Sequence, residues 1–387
     1  MSNHNLPGPA EASFLSDQAV AARVLGHIRE GTTDLGGEVW LEPVTNYRCA
    51  ERFLREREGV LRRWPVAFCP SAALPEAGSY VAREAAGTPL LVVRGEDGGV
   101  RAFRNACRHR GTQLADGAGC ARSFVCPYHG WTYRLDGGLH HVPHPHGFPE
   151  LDRERTGLAA VPCEERLGLV FVTQDPGAPG ADADAALAGL PELIAPEQRL
   201  MAANQFEAPV NWKVYLESFL EGYHIRATHP KSFLPYGFDN LNVVESCGAH
   251  SRVTFPFRRI QALAEVAPEE RRVEGLLTYV YHLFPNVLVT ALSRHTNLVV
   301  LEPLAVDRTR LVTYALTNRG EGGDAASAQR DAEFVSRTGA AEDLAVVTAI
   351  QRSIGSGANE CFRFGRFEAA IAHFHETLGS ALAAGRT

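Results

Sequence analysis

The chain has 387 residues, 45% of them hydrophobic and 21% charged, and a formal net charge of −7. At roughly 150 residues per domain this length suggests about two domains, with enough apolar residues for sizeable cores. No apolar run approaches the ~18 residues of a membrane span, the polar start Met1–Ala10 lacks the pattern of a secretory signal, and the acidic balance is the wrong sign for a general nucleic-acid binder.

Residues 1 to about 36 read as a tail plus one short helix, Asp17–Glu30, stopping before Gly31. Residues 48–63 (RCAERFLREREGVLRR) have helical periodicity through Phe53, Leu54 and Leu61, which predicts a surface helix. From Trp64 to about Thr173 short β-type runs (YVAREA, PLLVVRG, GVRAFRN, LVFVTQ) are punctuated by Gly and Pro, as in an antiparallel sheet domain. The Pro-, Gly-, Ala- and Asp-rich stretch 174–191 is the expected domain boundary. Beyond it Asn211–His224 reads as a helix, 276–318 as three long strands, and 328–354 and 366–383 as amphipathic helices. The expected organisation is an N-terminal segment 1–47, a β domain with its preceding helix over 48–175, and an α+β domain over 176–387.

Eight cysteines are too few for a disulfide scaffold, so most are expected to be reduced, buried and cytoplasmic. Cys107 and Cys126 differ. Each opens a motif with a histidine close by: Cys107-Arg108-His109-Arg110-Gly111, and Cys126-Pro127-Tyr128-His129-Gly130-Trp131. Two such loops give one iron two thiolates and the other two imidazoles, the ligand set of a Rieske [2Fe-2S] cluster. A Cys2His2 zinc site uses the same residue types, but Gly111, Pro127 and Gly130 suit tight loops around a bulky cluster. CRHRG followed by CPYHGW resembles the Rieske domain of the aromatic-ring-hydroxylating oxygenases, the Rieske non-haem iron oxygenases. The motif also occurs in electron carriers, so a second iron is what distinguishes an oxygenase.

Oxygen-activating mononuclear iron commonly sits on a face of two histidines and one carboxylate. His224 and His229, in NWKVYLESFLEGYHIRATHP, lie five residues apart, about 140° around a continuous helix. Both can reach one metal only if the helix breaks, and Pro230 disfavours helical geometry at the residue before it. For the carboxylate, Asp343 shares a helical stripe with Val347, Ile350 and Ile354, whereas Glu342 points towards a mixed face. An acid on an apolar face is costly unless it is paired or bound to metal, which favours Asp343; Glu342 and Glu217 remain the alternatives.

NWK with a nearby glutamate, the YH…H pair, FPN at Phe284–Asn286, EDLAVVTAIQ and GRFEAAIAHFHETL also resemble landmarks of that oxygenase family. The resemblance spans residues 48–383. It implies a helix-grip (START-like) catalytic domain with an antiparallel sheet, His224, His229 and Asp343 as ligands of one non-haem Fe(II), and Cys107, His109, Cys126 and His129 as cluster ligands. It further implies a terminal oxygenase that uses O2 and electrons from a separate NAD(P)H reductase, with or without a ferredoxin, since no flavin or nicotinamide fingerprint is present. The reactions implied are monooxygenation or demethylation of a small organic substrate, or cis-dihydroxylation of an aromatic ring. The contrasting reading is a Rieske electron-transfer or redox-sensing protein.

Family members commonly carry aspartate where this chain has Glu221, and Glu-Asn where it has Glu217-Ser218. Glutamate at the first of these positions resembles the quaternary-ammonium branch, as in carnitine and glycine betaine monooxygenases. The resemblance also implies a homotrimer in which Glu221 bridges His224 to a neighbouring subunit's cluster histidine. Outside these sites, HHVPHPH (His140, His141, His144, His146) reads as solvated surface. Arg101, Arg104, Arg108, Arg110 and Arg122 make the cluster region basic, either as a docking patch for an acidic donor or as a solvated face.

Overall fold

The computed structural model describes residues 13–176, 182–318 and 325–384. The expected first helix forms as α1 (Asp17–Glu30), and the tail residues 1–12 lie outside the described residues. Ser16 caps α1 by accepting the Ala19 N–H, and Gly31 ends it in the left-handed region at φ 64°. Its buried face, Val20, Ala21 and Val24, joins a core shared with the C-terminal half.

β1 (Trp40–Pro43) precedes α2 (Ala50–Glu56), which runs into a π-helical turn over Arg57–Leu61. The wider turn shifts the inward face, so Phe53, Val60 and Leu61 are buried, while Leu54, expected on the apolar stripe, is exposed. Glu56 is buried too. Its carboxylate meets the Lys213 Nζ at 2.7 Å and accepts the Trp212 Nε1–H at 3.1 Å, and both charged side chains are 1% exposed. The pair ties this helix to the start of the C-terminal half.

The predicted β runs form β2 (Val66–Pro70), β3 (Ser79–Ala85), β4 (Thr88–Arg94), β5 (Val100–Arg104), β6 (Gly117–Cys120), β7 (Phe124–Val125), β8 (Thr132–Tyr133), β9 (Leu139–His141), β10 (Ala160–Val161), β11 (Cys163–Arg166) and β12 (Leu169–Val172). They make three antiparallel sheets, ordered β10-β5-β4-β3-β6, β11-β12-β2 and β7-β8-β9. Of the expected linker, residues 177–181 lie outside the described residues. Its flanks are packed: the Gln174 amide donates to the Ala85 carbonyl at 2.7 Å, and Leu187 and Leu190 are buried.

The C-terminal half contains α3 (Ala183–Ala186), β13 (Leu200–Ala208), α4 (Trp212–Glu217), α5 (Ile225–Thr228), β14 (Val243–Cys247), β15 (His250–Pro256), β16 (Leu277–Leu283), β17 (Val287–Ala291), β18 (His295–Ala305), β19 (Arg308–Thr317), α6 (Ala325–Arg337), α7 (Gly339–Ser353), β20 (Cys361–Phe364) and α8 (Ala369–Ala384). β13 to β19 form one antiparallel sheet of seven strands, ordered β13-β19-β18-β17-β16-β15-β14. Strand periodicity divides its side chains between two cores. Val243, Val289, Leu298, Val300 and Val312 face α1 and strands β2 and β12 of the N-terminal half. Val244, Val253, Val280, Leu288, Leu301 and Leu311 pack with α4 and α8, which is the helix-grip arrangement. β1 pairs with β20, Trp40 opposite Phe364, so the residues before the Rieske sheet lie with the C-terminal half.

Three expectations change in detail. The stretch 276–318 holds four strands rather than three, because Phe284–Asn286 turns the chain and the Asn286 amide is anchored on the Leu301 carbonyl at 2.7 Å. The single helix expected over 328–354 is two, α6 and α7, broken at Thr338, whose φ −112° and ψ −84° are not helical. The helix expected over Asn211–His224 ends at Glu217. After it, Glu221 accepts the backbone N–H groups of Tyr223 and His224, which starts a new turn. Gly222 is required there, since a Cβ would lie 2.2 Å from the Asn242 Oδ1.

Candidate metal centres

The two cysteine loops close in the same way. The Cys107 N–H donates to the Thr112 carbonyl at 2.8 Å and the Gly111 N–H to the Cys107 carbonyl at 2.8 Å. In the second loop the Cys126 N–H reaches the Trp131 carbonyl at 2.7 Å and the Gly130 N–H the Cys126 carbonyl at 3.0 Å. Both closing glycines have positive φ, 80° and 74°, where a side chain would be strained.

The loops sort the four donors by kind. Cys107 and Cys126 are both buried. His109 is half-buried and His129 exposed, with ring centroids 4.7 Å apart. Burial pushes the Cys126 thiol up, but backbone N–H groups of Tyr128 and His129 outweigh it and the net direction is down, towards thiolate. Among the described residues these four do not gather around one ion. A sulfur pair beneath a nitrogen pair suits a two-iron cluster better than one tetrahedral zinc.

His224 immediately precedes α5 and His229 immediately follows it, at φ −115° and ψ 42°, so the helix ends just before Pro230. Asp343 comes from α7 and is buried beside Val347 and Ile354; Ile350, expected on the same stripe, is exposed. The ligand atoms of His224, His229 and Asp343 lie within 4.8 Å of one another. Asp343 Oδ1 is 2.9 Å from His229 Nε2 and 3.6 Å from His224 Nε2. His229 Nε2 is buried without a hydrogen-bond partner, a lone pair suited to a cation.

The far side of each ring is held by a glutamate. Glu221 Oε1 lies 2.5 Å from His224 Nδ1, and Glu342 Oε2 lies 2.7 Å from His229 Nδ1. Each imidazole thus turns Nε2 towards Asp343. Burial pulls the His229 imidazole down, but Asp343 and Glu342 outweigh it and the net direction is up. Glu221 does not share a helix with His224, as the sequence suggested; it reaches that ring from the turn between α4 and α5. Glu217 stands apart, accepting from Tyr47 Oη at 2.7 Å with His375 Nε2 at 2.9 Å.

Sequence reasoning gave no role to Glu342 at His229, or to Ser232, whose Oγ donates to the same Oε2 at 2.5 Å. It also missed Tyr133, whose Oη lies 3.3 Å from Cys107 Sγ and accepts the Arg108 N–H at 2.9 Å. Trp131, quoted only as part of the motif, stacks on His109 at 5.1 Å. Adjacency in sequence was the available signal: Glu342 is next to Asp343, and Tyr133 is two residues beyond Trp131. The four histidines of the HHVPHPH tract include only exposed residues. Of the arginines, Arg101 pairs with Asp97 and Arg104 with Asp175, while Arg110 donates to Tyr128 Oη at 3.0 Å.

Comparison with known proteins gives two family matches: the Rieske [2Fe-2S] domain over residues 64–156, and the ring hydroxylating alpha subunit catalytic domain over residues 197–384. The carnitine monooxygenase oxygenase subunit of Escherichia coli is 36% identical over 201 residues, 50% of this chain and 53% of that protein. The match therefore spans about half the length of that relative. The crystal structure of the quaternary ammonium Rieske monooxygenase CntA in complex with L-carnitine has a TM-score of 0.72 at 21% identity, covering 98% of this chain and 99% of that one. Naphthalene 1,2-dioxygenase from Rhodococcus sp. bound to indole has a TM-score of 0.75 at 19% identity, covering 96% and 99%. Likeness at these identities establishes the fold. Among the described residues no helix is long and apolar enough to cross a membrane.

Proposed function

Because the chain belongs to the Rieske non-haem iron oxygenases, joining their [2Fe-2S] domain to their mononuclear-iron catalytic domain, we propose that it is the terminal oxygenase component of such a system. The observation that carries this reading is the buried group of His224, His229 and Asp343, with both Nδ1 atoms held and both Nε2 atoms turned inward. An electron carrier has no use for this second site.

In this reading Cys107, His109, Cys126 and His129 hold the cluster, and His224, His229 and Asp343 hold the iron. When bound, these groups supply electron transfer and reductive activation of O2, chemistry that belongs to the metals. The chain's own part is to fix donors, order and access. Glu221 and Glu342 orient the two histidines. The burial of Cys107 and Cys126 keeps the thiols dry, and the exposed His129 edge is the side on which the cluster can exchange electrons.

A separate NAD(P)H reductase, with or without a ferredoxin, is the proposed electron source, and the substrate a small organic molecule. The carnitine relative favours single-oxygen insertion, as hydroxylation or demethylation, over aromatic cis-dihydroxylation. We further propose a cytoplasmic homotrimer, in which Glu221 joins His224 to the neighbouring copy's cluster histidine. The test is the purified protein with a reductase and isotopically labelled O2, alongside Asp343→Ala. One labelled atom per product is expected, and two would move the chain to the dihydroxylating class. Asp343→Ala should lose the mononuclear iron and all product while keeping the Rieske spectrum. Normal turnover in that variant would overturn the ligand assignment.

A further inference from the structure

We propose that Glu342 is a positioning residue of the iron centre, selecting the tautomer and ring orientation of His229, with Ser232 fixing the carboxylate that does so. The inference rests on His229 and Asp343 being iron ligands, as proposed above, and adds a residue outside that ligand set.

The geometry is specific. His229 is fully buried, so its ring must satisfy both nitrogens inside the protein. Glu342 Oε2 stands 2.7 Å from Nδ1. With Nδ1–H donating there, Nε2 is left as the unprotonated nitrogen, and it is the atom facing Asp343 at 2.9 Å without another partner. Without Glu342 the proton could sit on Nε2 and donate to Asp343, tying up two ligands in a bond with each other.

Glu342 is itself steered. The Ser232 Oγ donates to Oε2 at 2.5 Å, so the oxygen that meets His229 is fixed by a second side chain. It also couples two segments, since Glu342 and Asp343 are neighbours on α7 while His229 and Ser232 follow α5. Phe233 packs against His229 with ring centroids 4.7 Å apart and planes tilted by 49°, and Gly339 at the start of α7 leaves room for it, because a Cβ there would lie 2.1 Å from the Phe233 ring. A ring restrained on its edge and its face thus has one free atom, pointed at the metal position.

This differs from the role proposed for Glu221, whose carboxylate also serves two backbone N–H groups and closes a turn. Side-chain partners of metal-bound histidines typically contribute about 10- to 100-fold in metal affinity. The test compares Glu342→Ala, Glu342→Gln and Asp343→Ala in the full-length protein. The readouts are Fe(II) affinity by chelator competition, the rate of iron release, and the Rieske visible spectrum as a control for folding. Glu342→Ala should weaken Fe(II) binding about 10- to 100-fold with the Rieske spectrum unchanged. Glu342→Gln, which can still accept from Nδ1–H, should recover a large part of that loss, an order a generic packing role would not produce. Affinity and release within twofold of wild type in both Glu342 variants, while Asp343→Ala loses iron, would overturn the inference and leave the oxygenase reading intact. Iron retained in Asp343→Ala would instead remove the reading on which the inference rests.

Discussion

The two proposed metal centres are built on opposite plans. The cluster loops lie within residues 107–131, and each is closed by its own backbone bonds and its own left-handed glycine. The iron group combines a turn after α4, the end of α5 and one face of α7, with Asp343 over a hundred residues from either histidine. Local loops can form their geometry with little help from the rest of the molecule. A centre assembled across the chain is only as well placed as the long-range contacts that dock its pieces. The catalytic half should therefore be the more fragile of the two, in stability, in mutation and with pH.

The contact that should test this hardest is Glu56–Lys213, because it fastens α4, one residue into that helix, to α2. Removing one partner of a buried pair can cost up to about 3–5 kcal/mol when the other charge is left uncompensated; here Arg52 Nε, 2.9 Å from Glu56, keeps part of that compensation and places the loss below that range. Lys213→Met should accordingly lower the thermal midpoint of the catalytic half and its iron content. The red-brown Rieske absorbance should persist to higher temperature. If both signals fell together in this variant, the two centres would share one cooperative unit and the contrast would fail.

Much of this organisation was legible before any coordinates. The two cysteine loops were readable because their residues are close in sequence and their spacing is a loop property. α1 was readable to the residue, since Asp17 in its first turn and the stop at Gly31 are local signals; the Ser16 cap emerged only in the structure. Asp343 could be placed on the buried side of its helix, and Glu342 off it, because helical periodicity reports which acid faces the core. What periodicity could not report is where an off-stripe side chain lands once another segment arrives. Glu342 was assigned to a mixed face, and it is there, 36% exposed, but its carboxylate meets His229 across a tertiary contact. The break after Glu217 was equally hidden, since it depends on Glu221 capturing two backbone N–H groups and on Gly222 fitting against Asn242.

A smaller effect is expected at the link between the centres. Under the proposed bridge, Glu221→Gln keeps both metals, because an amide can still accept from His224 Nδ1–H, but it slows transfer from the reduced cluster to the iron. We expect a clear loss of transfer rate with iron content unchanged, read in single-turnover experiments on pre-reduced protein with light-scattering mass measured in parallel. A merely orienting role predicts little change. A monomer, or wild-type cluster oxidation in the mutant, would show that the bridge assignment is wrong.

The last expected difference is with pH, and it again falls on the catalytic half. His250 and His282 on adjacent strands β15 and β16 are buried as neutral rings, their basicity depressed by burial to about 4 and about 3. His250 donates from Nε2 to the Ala186 carbonyl at 2.6 Å and accepts the Phe284 N–H on Nδ1 at 3.0 Å, so both nitrogens are committed. His373 on α8 is pushed down by burial as well. In the unfolded chain these imidazoles titrate near 6.5. Below that value the unfolded state binds more protons than the folded one, so their stabilisation is complete above about pH 6.5 and declines as pH falls towards their folded values. The slope is about 1.4 kcal/mol per pH unit for each histidine that stays neutral. Melting the catalytic half between pH 7 and pH 5 should show this decline, and His282→Gln, which retains a donor for the Pro285 carbonyl, should make it shallower. An unchanged slope in that variant would mean that groups elsewhere, not the histidines beneath the gripped helix, set the acid sensitivity of the iron-bearing half.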